Sequence, residues 1–207
     1  LSVKFVNVCN FEFENLDGKF GPDYTLNEYV RVQMDLRGTK TMCFEGGCGA
    51  CIVSVKASLP PTYEMRTFAV NSCLVSLLSC HGWEITTIKG IGNQKKGYHE
   101  IQKRLAMFHG SQCGFCSPGF VLNMYSLYEA RNQHVSSVEV ENSFGSNLCR
   151  CTGYRPILDA FKSLAYDADE KPYEELGKCK YNFWRNCKKF CTCNKNRRHI
   201  GWSRPIY

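Results

Sequence analysis

Three cysteines crowd into nine residues, Cys43-Phe-Glu-Gly-Gly-Cys48-Gly-Ala-Cys51, on a stretch that is otherwise nearly all glycine. Four residues separate the first two thiols and two separate the last two. With a distant fourth thiol, expected at Cys73, that spacing suits a two-iron, two-sulfur cluster. Three thiolates from one short segment must converge without the backbone colliding with what they hold, which only a tightly curled loop allows. Gly46, Gly47 and Gly49 permit positive φ and close approach, and their N–H groups are expected to point at the sulfurs, where such bonds help set a reduction potential. Two ferric irons, two sulfides and four thiolates leave a net charge of about −2, which inward amide dipoles partly offset. Glu45 is the odd residue, a carboxylate beside an anionic site. It is expected to point outward or to bond loop amides.

Composition narrows the class. Fourteen cysteines in 207 residues fall below the proportion that by itself argues a disulfide scaffold, and the chain is longer than the small secreted modules that need such staples. Clustered cysteines then read as metal ligands in a reducing, cytoplasmic compartment. No apolar run approaches the roughly 20 residues of a membrane-spanning helix, so no membrane partner is expected, and no charged-then-apolar leader opens the sequence. The formal charge of +7 is unevenly placed, because nine of the 26 Lys and Arg fall within residues 178–207, which hold no acid. The body is slightly acidic and the tail strongly basic.

Along the chain, Val3–Val6 and Phe11–Glu14 alternate as a β-hairpin around Asn7-Val-Cys9-Asn10. Thr25-Leu-Asn-Glu28 is a capping box that opens a helix with Leu26, Tyr29, Val30 and Leu36 near one face, ending at Gly38. After the cysteine loop comes a strand, Ile52–Lys56, then a loop broken by Pro60 and Pro61, and a last strand within Gly82–Ile88. This makes a small α+β unit resembling the β-grasp of ferredoxins. From Tyr98 the period turns helical. One helix carries Ile101, Leu105 and Phe108 and stops at Gly110; a second starts at Pro118; a third is capped by Ser136 with Glu139; a fourth runs from Pro156. Four short helices with cysteines at their ends suggest a four-helix bundle. The expected domains are 1–92, 93–166 and a basic linker, 167–207.

The second cysteine set is two pairs, Cys113-Gly-Phe-Cys116 and Cys149-Arg-Cys151, set 32 residues apart. Folding two short helices back on each other would bring the pairs together, and four thiolates suit a second two-iron cluster. Cys-x-x-Cys alone is equally a zinc half-site or a redox dithiol, although Cys-x-Cys is unusual for structural zinc. Cys43 to Cys51, then Ser111-Gln-Cys-Gly-Phe-Cys-Ser-Pro-Gly-Phe120, then Asn147-Leu-Cys-Arg-Cys-Thr-Gly-Tyr-Arg-Pro-Ile157, in this order, resemble the iron–sulfur portion of the molybdenum hydroxylases, the xanthine dehydrogenase and aldehyde oxidase family. The resemblance covers roughly residues 1–165. Lys40-Thr-Met-Cys-Phe-Glu45 looks more like the aldehyde oxidase branch.

What the resemblance implies is a relay. Substrate is hydroxylated at a molybdenum–pterin (molybdopterin) centre, and the two electrons leave singly through two 2Fe-2S clusters to FAD, the cofactors carrying the chemistry. Carried over, Cys43, Cys48, Cys51 and Cys73 hold the cluster nearer the flavin, and Cys113, Cys116, Cys149 and Cys151 the one nearer molybdenum. Gln112 and Cys151 match positions that also touch the pterin. No residue here is expected to be catalytic. The partners implied are the FAD and molybdenum domains of a complete enzyme, a homodimer in this family, and Trp202-Ser-Arg-Pro205 looks like the threshold of the FAD domain. This chain alone is then catalytically incomplete. Two positions depart from the family pattern: Ser146 stands where glycine is common before Asn-Leu-Cys-Arg-Cys, and the hairpin has Asn7-Val8 where Asn-Gly is usual. The contrasting hypothesis is a zinc-stabilised binding module whose tail, with Cys179, Cys187, Cys191 and Cys193 among its basic residues, touches nucleic acid. A solvated linker is the simpler account of that tail, so nucleic acid is not expected as a partner. Cys9 and Cys80 are expected to be ordinary buried thiols.

Overall fold

The computed structural model describes residues 2–6 and 11–15 as backbone, and residues 20–95 and 97–168 in full. The turn at Asn7–Asn10, Cys9, the four tail cysteines and the Trp202–Pro205 segment lie outside the described residues. Strands β1 (Ser2–Val6) and β2 (Phe11–Asn15) pair antiparallel as the alternation predicts. The other strands are β3 (Ile52–Ser58), β4 (Met65–Asn71) and β5 (Glu84–Thr86). They join in one sheet of order β2-β1-β5-β3-β4, in which only β1 and β5 run parallel.

Thr25 caps the first helix as expected. Its hydroxyl accepts from the Glu28 N–H while the Glu28 carboxylate takes the Thr25 N–H, two otherwise orphaned donors satisfied reciprocally. The helical stretch is shorter and wider than its sequence suggests. A single α-turn, α1 (Leu26–Glu28), passes into a π-helical segment, Tyr29–Gln33. It closes at Asp35, which takes φ of 50°, a left-handed conformation that Asp tolerates better than most residues. Gly38 therefore does not end the helix. A Cβ there would stand 2.7 Å from Ile88 Cγ2, so Gly38 is required for close packing.

Strand β4 has no local signature, because its seven residues, Met-Arg-Thr-Phe-Ala-Val-Asn, are exposed at Met65 and Arg66, half-buried beyond, and alternate weakly. It pairs with β3 along its full length, from Ser58 with Met65 to Ile52 with Asn71. Val53, Val55 and Ala57 face a core with Leu26, Tyr29, Val30, Leu77, Cys80 and Ile85.

The second half is helical: α2 (Glu100–Met107), α3 (Ser117–Ala130), α4 (Ser137–Asn142) and α5 (Arg155–Lys162). Ser136 with Glu139 caps α4, and Pro118 lies in the first turn of α3. Phe120, Val121, Met124, Val140, Phe144, Ile157 and Phe161 form the centre of its core, where fully burying each such side chain contributes about 1.5–3 kcal/mol. Helix α3 is buried on nearly every side from Ser117 to Met124, as a helix enclosed by protein on more than one face must be. It packs on β3 and β4 as well as on α2. Residues up to Ala168 form one compact unit. Among the described residues, no helix is long and apolar enough to cross a membrane.

Candidate metal centres

Register brings the first cysteine set together. Strand β3 begins one residue after Cys51 and β4 ends two before Cys73, so the pairing of Ile52 with Asn71 sets the two thiols side by side. Ser72 fastens this end: its Oγ donates to the Cys51 carbonyl at 2.6 Å, and Asn27 Nδ2, reaching from α1, donates to Ser72 Oγ at 2.9 Å and to the Lys40 carbonyl at 3.2 Å. Both ends of the loop are thus tied to α1. Asn71 holds its middle, with Nδ2 donating to the Gly46 carbonyl at 3.0 Å and Oδ1 lying 3.7 Å from Cys51 Sγ.

Within the loop, Gly46 and Gly49 adopt φ of 75° and 66°, and Phe44 joins them at 57°. Gly47 does not take positive φ, contrary to expectation; nothing stands within 4 Å of a Cβ placed there. Of the three glycine N–H groups expected to turn inward, that of Gly47 does so at Cys43. The N–H groups directed at the Cys43 thiol belong to Glu45, Cys48 and Gly47, that of Glu45 at 3.4 Å. The Glu45 N–H bond, then the hydrogen bond from the Cys48 thiol, hold Cys43 down at about 7. Glu45 itself is exposed. Cys51 faces Cys73, and burial, with that neighbour, pushes its thiol up to about 12.

The second set is gathered by helix ends. Helix α2 stops at Met107, and a Cβ on Gly110 would meet Leu105 Cδ1 at 2.4 Å, so only glycine lets the chain turn so tightly there. Ser111 and Ser117 hydroxyls, 2.8 Å apart, close the loop that carries Cys113 and Cys116. On the other side Tyr154, at φ of 69°, starts α5 and its phenol oxygen accepts from the Cys149 N–H at 3.0 Å. The Thr152 hydroxyl lies 3.1 Å from Cys149 Sγ and the Thr152 N–H donates to that sulfur at 3.5 Å. Burial pushes the Cys149 thiol up, but the Thr152 hydroxyl and N–H, the Cys151 N–H and the Cys116 thiol outweigh it, leaving Cys149 below the ordinary range. Cys116, at the N-terminus of α3, would be lowered by the helix dipole; burial and the neighbouring Cys149 and Cys113 win, and it rises to about 12.

All eight predicted cysteines are therefore met in facing twos: Cys43 with Cys48, Cys51 with Cys73, Cys116 with Cys149, and Cys113 with Cys151. Each is a free thiol. Facing pairs suit a two-iron cluster, in which each iron takes two thiolates. The chemistry of the donors, anionic sulfurs met by backbone N–H and hydroxyl groups, fits a cluster of that kind. The nests differ in access. Cys48, Cys51 and Cys73 are buried and Cys43 half-buried; the second has an inner pair, half-buried Cys116 and buried Cys149, and an outer pair, exposed Cys113 and Cys151. Gln112 is exposed next to the outer pair. Cys80 is fully buried in the core beneath the sheet.

Asn71, Thr152 and Tyr154 escaped the sequence reading as contributors. Thr152 and Tyr154 stand inside the Cys-Arg-Cys-Thr-Gly-Tyr motif, and that position was the one available signal. Ser146, the departure from glycine, is exposed, and its backbone oxygen lies against Gly49, so the hydroxymethyl group displaces nothing.

Comparison with known proteins agrees with this geometry. Residues 87–162 match the family described as the [2Fe-2S] binding domain. The chain is 53% identical over 138 residues to a xanthine dehydrogenase of Oryza sativa subsp. japonica, covering 67% of this chain and 10% of that protein. It is 45% identical over 184 residues to abscisic-aldehyde oxidase of Arabidopsis thaliana, covering 87% of this chain and 13% of that one. It thus spans about a tenth of the length of these curated relatives, which come from both branches of one group. The crystal structure of quinoline 2-oxidoreductase from Pseudomonas putida 86 contains a chain that superposes with a TM-score of 0.63 at 26% identity, over 86% of this chain and 97% of that one.

Proposed function

The chain belongs to the molybdenum hydroxylase family, the xanthine dehydrogenase and aldehyde oxidase enzymes, as their iron–sulfur portion, and from that premise we propose that it passes single electrons from a molybdenum–pterin centre to flavin through two 2Fe-2S clusters. The observation that carries this is the set of four facing thiol pairs. When bound, such clusters accept and release one electron at a time. Cys43, Cys48, Cys51 and Cys73, within residues 1–92, hold the cluster on the flavin side. Cys113, Cys116, Cys149 and Cys151, within residues 93–166, hold the other. Residues 167–207 link to further domains of the complete enzyme, which works in a reducing, cytoplasmic compartment. Gln112 and Cys151, exposed beside Cys113, form the edge that meets the pterin, where an amide offers both donor and acceptor.

The surrounding groups tune this chemistry. The Glu45 N–H at Cys43 and the Thr152 hydroxyl and N–H at Cys149 stabilise negative charge on sulfur, which eases addition of an electron. Because ligation requires thiolates, Cys51 and Cys116, both pushed up to about 12, must release protons as iron binds.

Anaerobically purified protein tests the assignment by metal analysis and low-temperature EPR after reduction. About four irons per chain and two distinguishable signals are expected. Cys48→Ser should remove one signal and spare the other, and Cys116→Ser the reverse. Zinc in place of iron, or one substitution abolishing both signals equally, would refute it.

A further inference from the structure

The two cysteine nests touch through backbone, and the side chains that hold this contact are two buried asparagines with no part in ligation. We propose that Asn123 and Asn147 are positioning residues that fix the spacing between the two clusters, an inference that rests on the two-cluster reading above. Asn123, on α3, and Asn147, two residues before Cys149, are 8% and 5% exposed. Asn123 Nδ2 donates to the Ser143 carbonyl at 2.8 Å and to Asn147 Oδ1 at 2.6 Å, and Asn147 Nδ2 donates to the Gly49 carbonyl at 3.4 Å.

The order of these bonds is forced. A backbone carbonyl can only accept, so Asn123 must turn its NH2 toward Ser143; its second hydrogen then meets Asn147, which must present oxygen. That leaves the Asn147 NH2 facing Gly49. A buried amide left unpaired would cost more than the bond it lost, so the pair settles in one arrangement. Beside it the Leu148 N–H donates to the Cys48 carbonyl at 2.9 Å. Cys48 supplies a thiol to the first nest and Cys149, the next residue after Leu148, supplies one to the second. That backbone hydrogen bond bridges the peptide frameworks of the two, beside the bond from the Asn147 amide to Gly49.

Nothing soft lies in this gap. A Cβ on Gly119 of α3 would stand 2.1 Å from the Gly49 oxygen, and one on Gly49 would stand 2.6 Å from both Asn147 Nδ2 and the Ser146 oxygen. Backbone rests on backbone, and the asparagine amides keep it seated.

The test uses the full chain loaded anaerobically with iron and sulfide and reduced with dithionite. Two paramagnetic clusters this closely linked should split or broaden each other's EPR signals, an interaction that falls as the inverse cube of their separation. Asn147→Asp keeps the oxygen that accepts from Asn123 but sets a second oxygen against the Gly49 carbonyl. The expected result is unchanged iron content, both signals present and a loss of mutual splitting. Ser143→Ala, which leaves the accepting carbonyl in place, should retain the splitting. Unchanged splitting in a fully loaded Asn147→Asp chain overturns the proposal. The wild-type chain supplies an independent check by hydrogen–deuterium exchange and mass spectrometry. Leu148 should exchange as slowly as core amides, and rapid exchange there overturns the proposal whatever the variant does. Wild-type protein without two signals defeats the two-cluster reading itself, a failure distinct from either of these.

Discussion

Cys43 and Cys80 show how far one residue type is divided by its surroundings. Cys43 is half-buried with backbone N–H groups aimed at its sulfur and is held at about 7, whereas Cys80 is fully buried and rises to about 12. The thiolate is the reacting species. In the metal-free chain, brief iodoacetamide treatment at neutral pH should therefore modify Cys43 well before Cys51, Cys80 or Cys116, with its rate climbing as pH passes through about 7 and then levelling. Peptide mapping checks this; Cys80 labelled alongside Cys43 would show that the environment does not separate them. At this scale the thiols were legible because their spacing is itself geometry. Asn71, Asn123 and Asn147 were not, since a short polar side chain becomes informative only once its partner, a carbonyl 24 or more residues away in several cases, has a position.

Helix starts were legible for a different reason: their capping partners lie three residues apart. Thr25 with Glu28 and Ser136 with Glu139 form the expected boxes. His99 with Gln102 forms another that the sequence concealed, because histidine is not among the usual cap residues. Ser136→Ala should cost about 1 kcal/mol and lower the melting temperature by about 2–4 °C. The Glu139 carboxyl is held below its ordinary value of 4.5 by the Ser136 N–H and hydroxyl and, more weakly, by Arg131. A carboxyl lowered on folding stabilises fully above its ordinary range, and that contribution is lost as pH falls through the folded value. The deficit of Ser136→Ala should accordingly shrink below about pH 4.5; thermal melts across that range that keep a constant difference would argue against the box. Strand β4 and the early end of α1 stayed hidden, as both depend on tertiary packing rather than on local pattern.

The whole described unit is joined along α3, which belongs to the helical core and also packs on β3 and β4. Leu122, on this helix, is completely buried. Leu122→Ala should destabilise by about 2–5 kcal/mol and do so for the sheet and the bundle together. In a chain carrying Trp184→Phe and Trp202→Phe, fluorescence of Trp83, packed against the sheet core, should report the same transition as helical circular dichroism, before and after the Leu122 change. Separate midpoints would mean that the halves melt independently. The sequence marked a change of period near Tyr98, where strands give way to helices, but the embrace of one half by a helix of the other is a long-range contact that no local period records. A last consequence follows from the unequal exposure of the four outer and inner sulfurs among the helices. A nest with one wall absent is weathered from that side, so in air the helical half should lose its colour first, while the sheet-bound half, roofed by its own loop, keeps its brown longest.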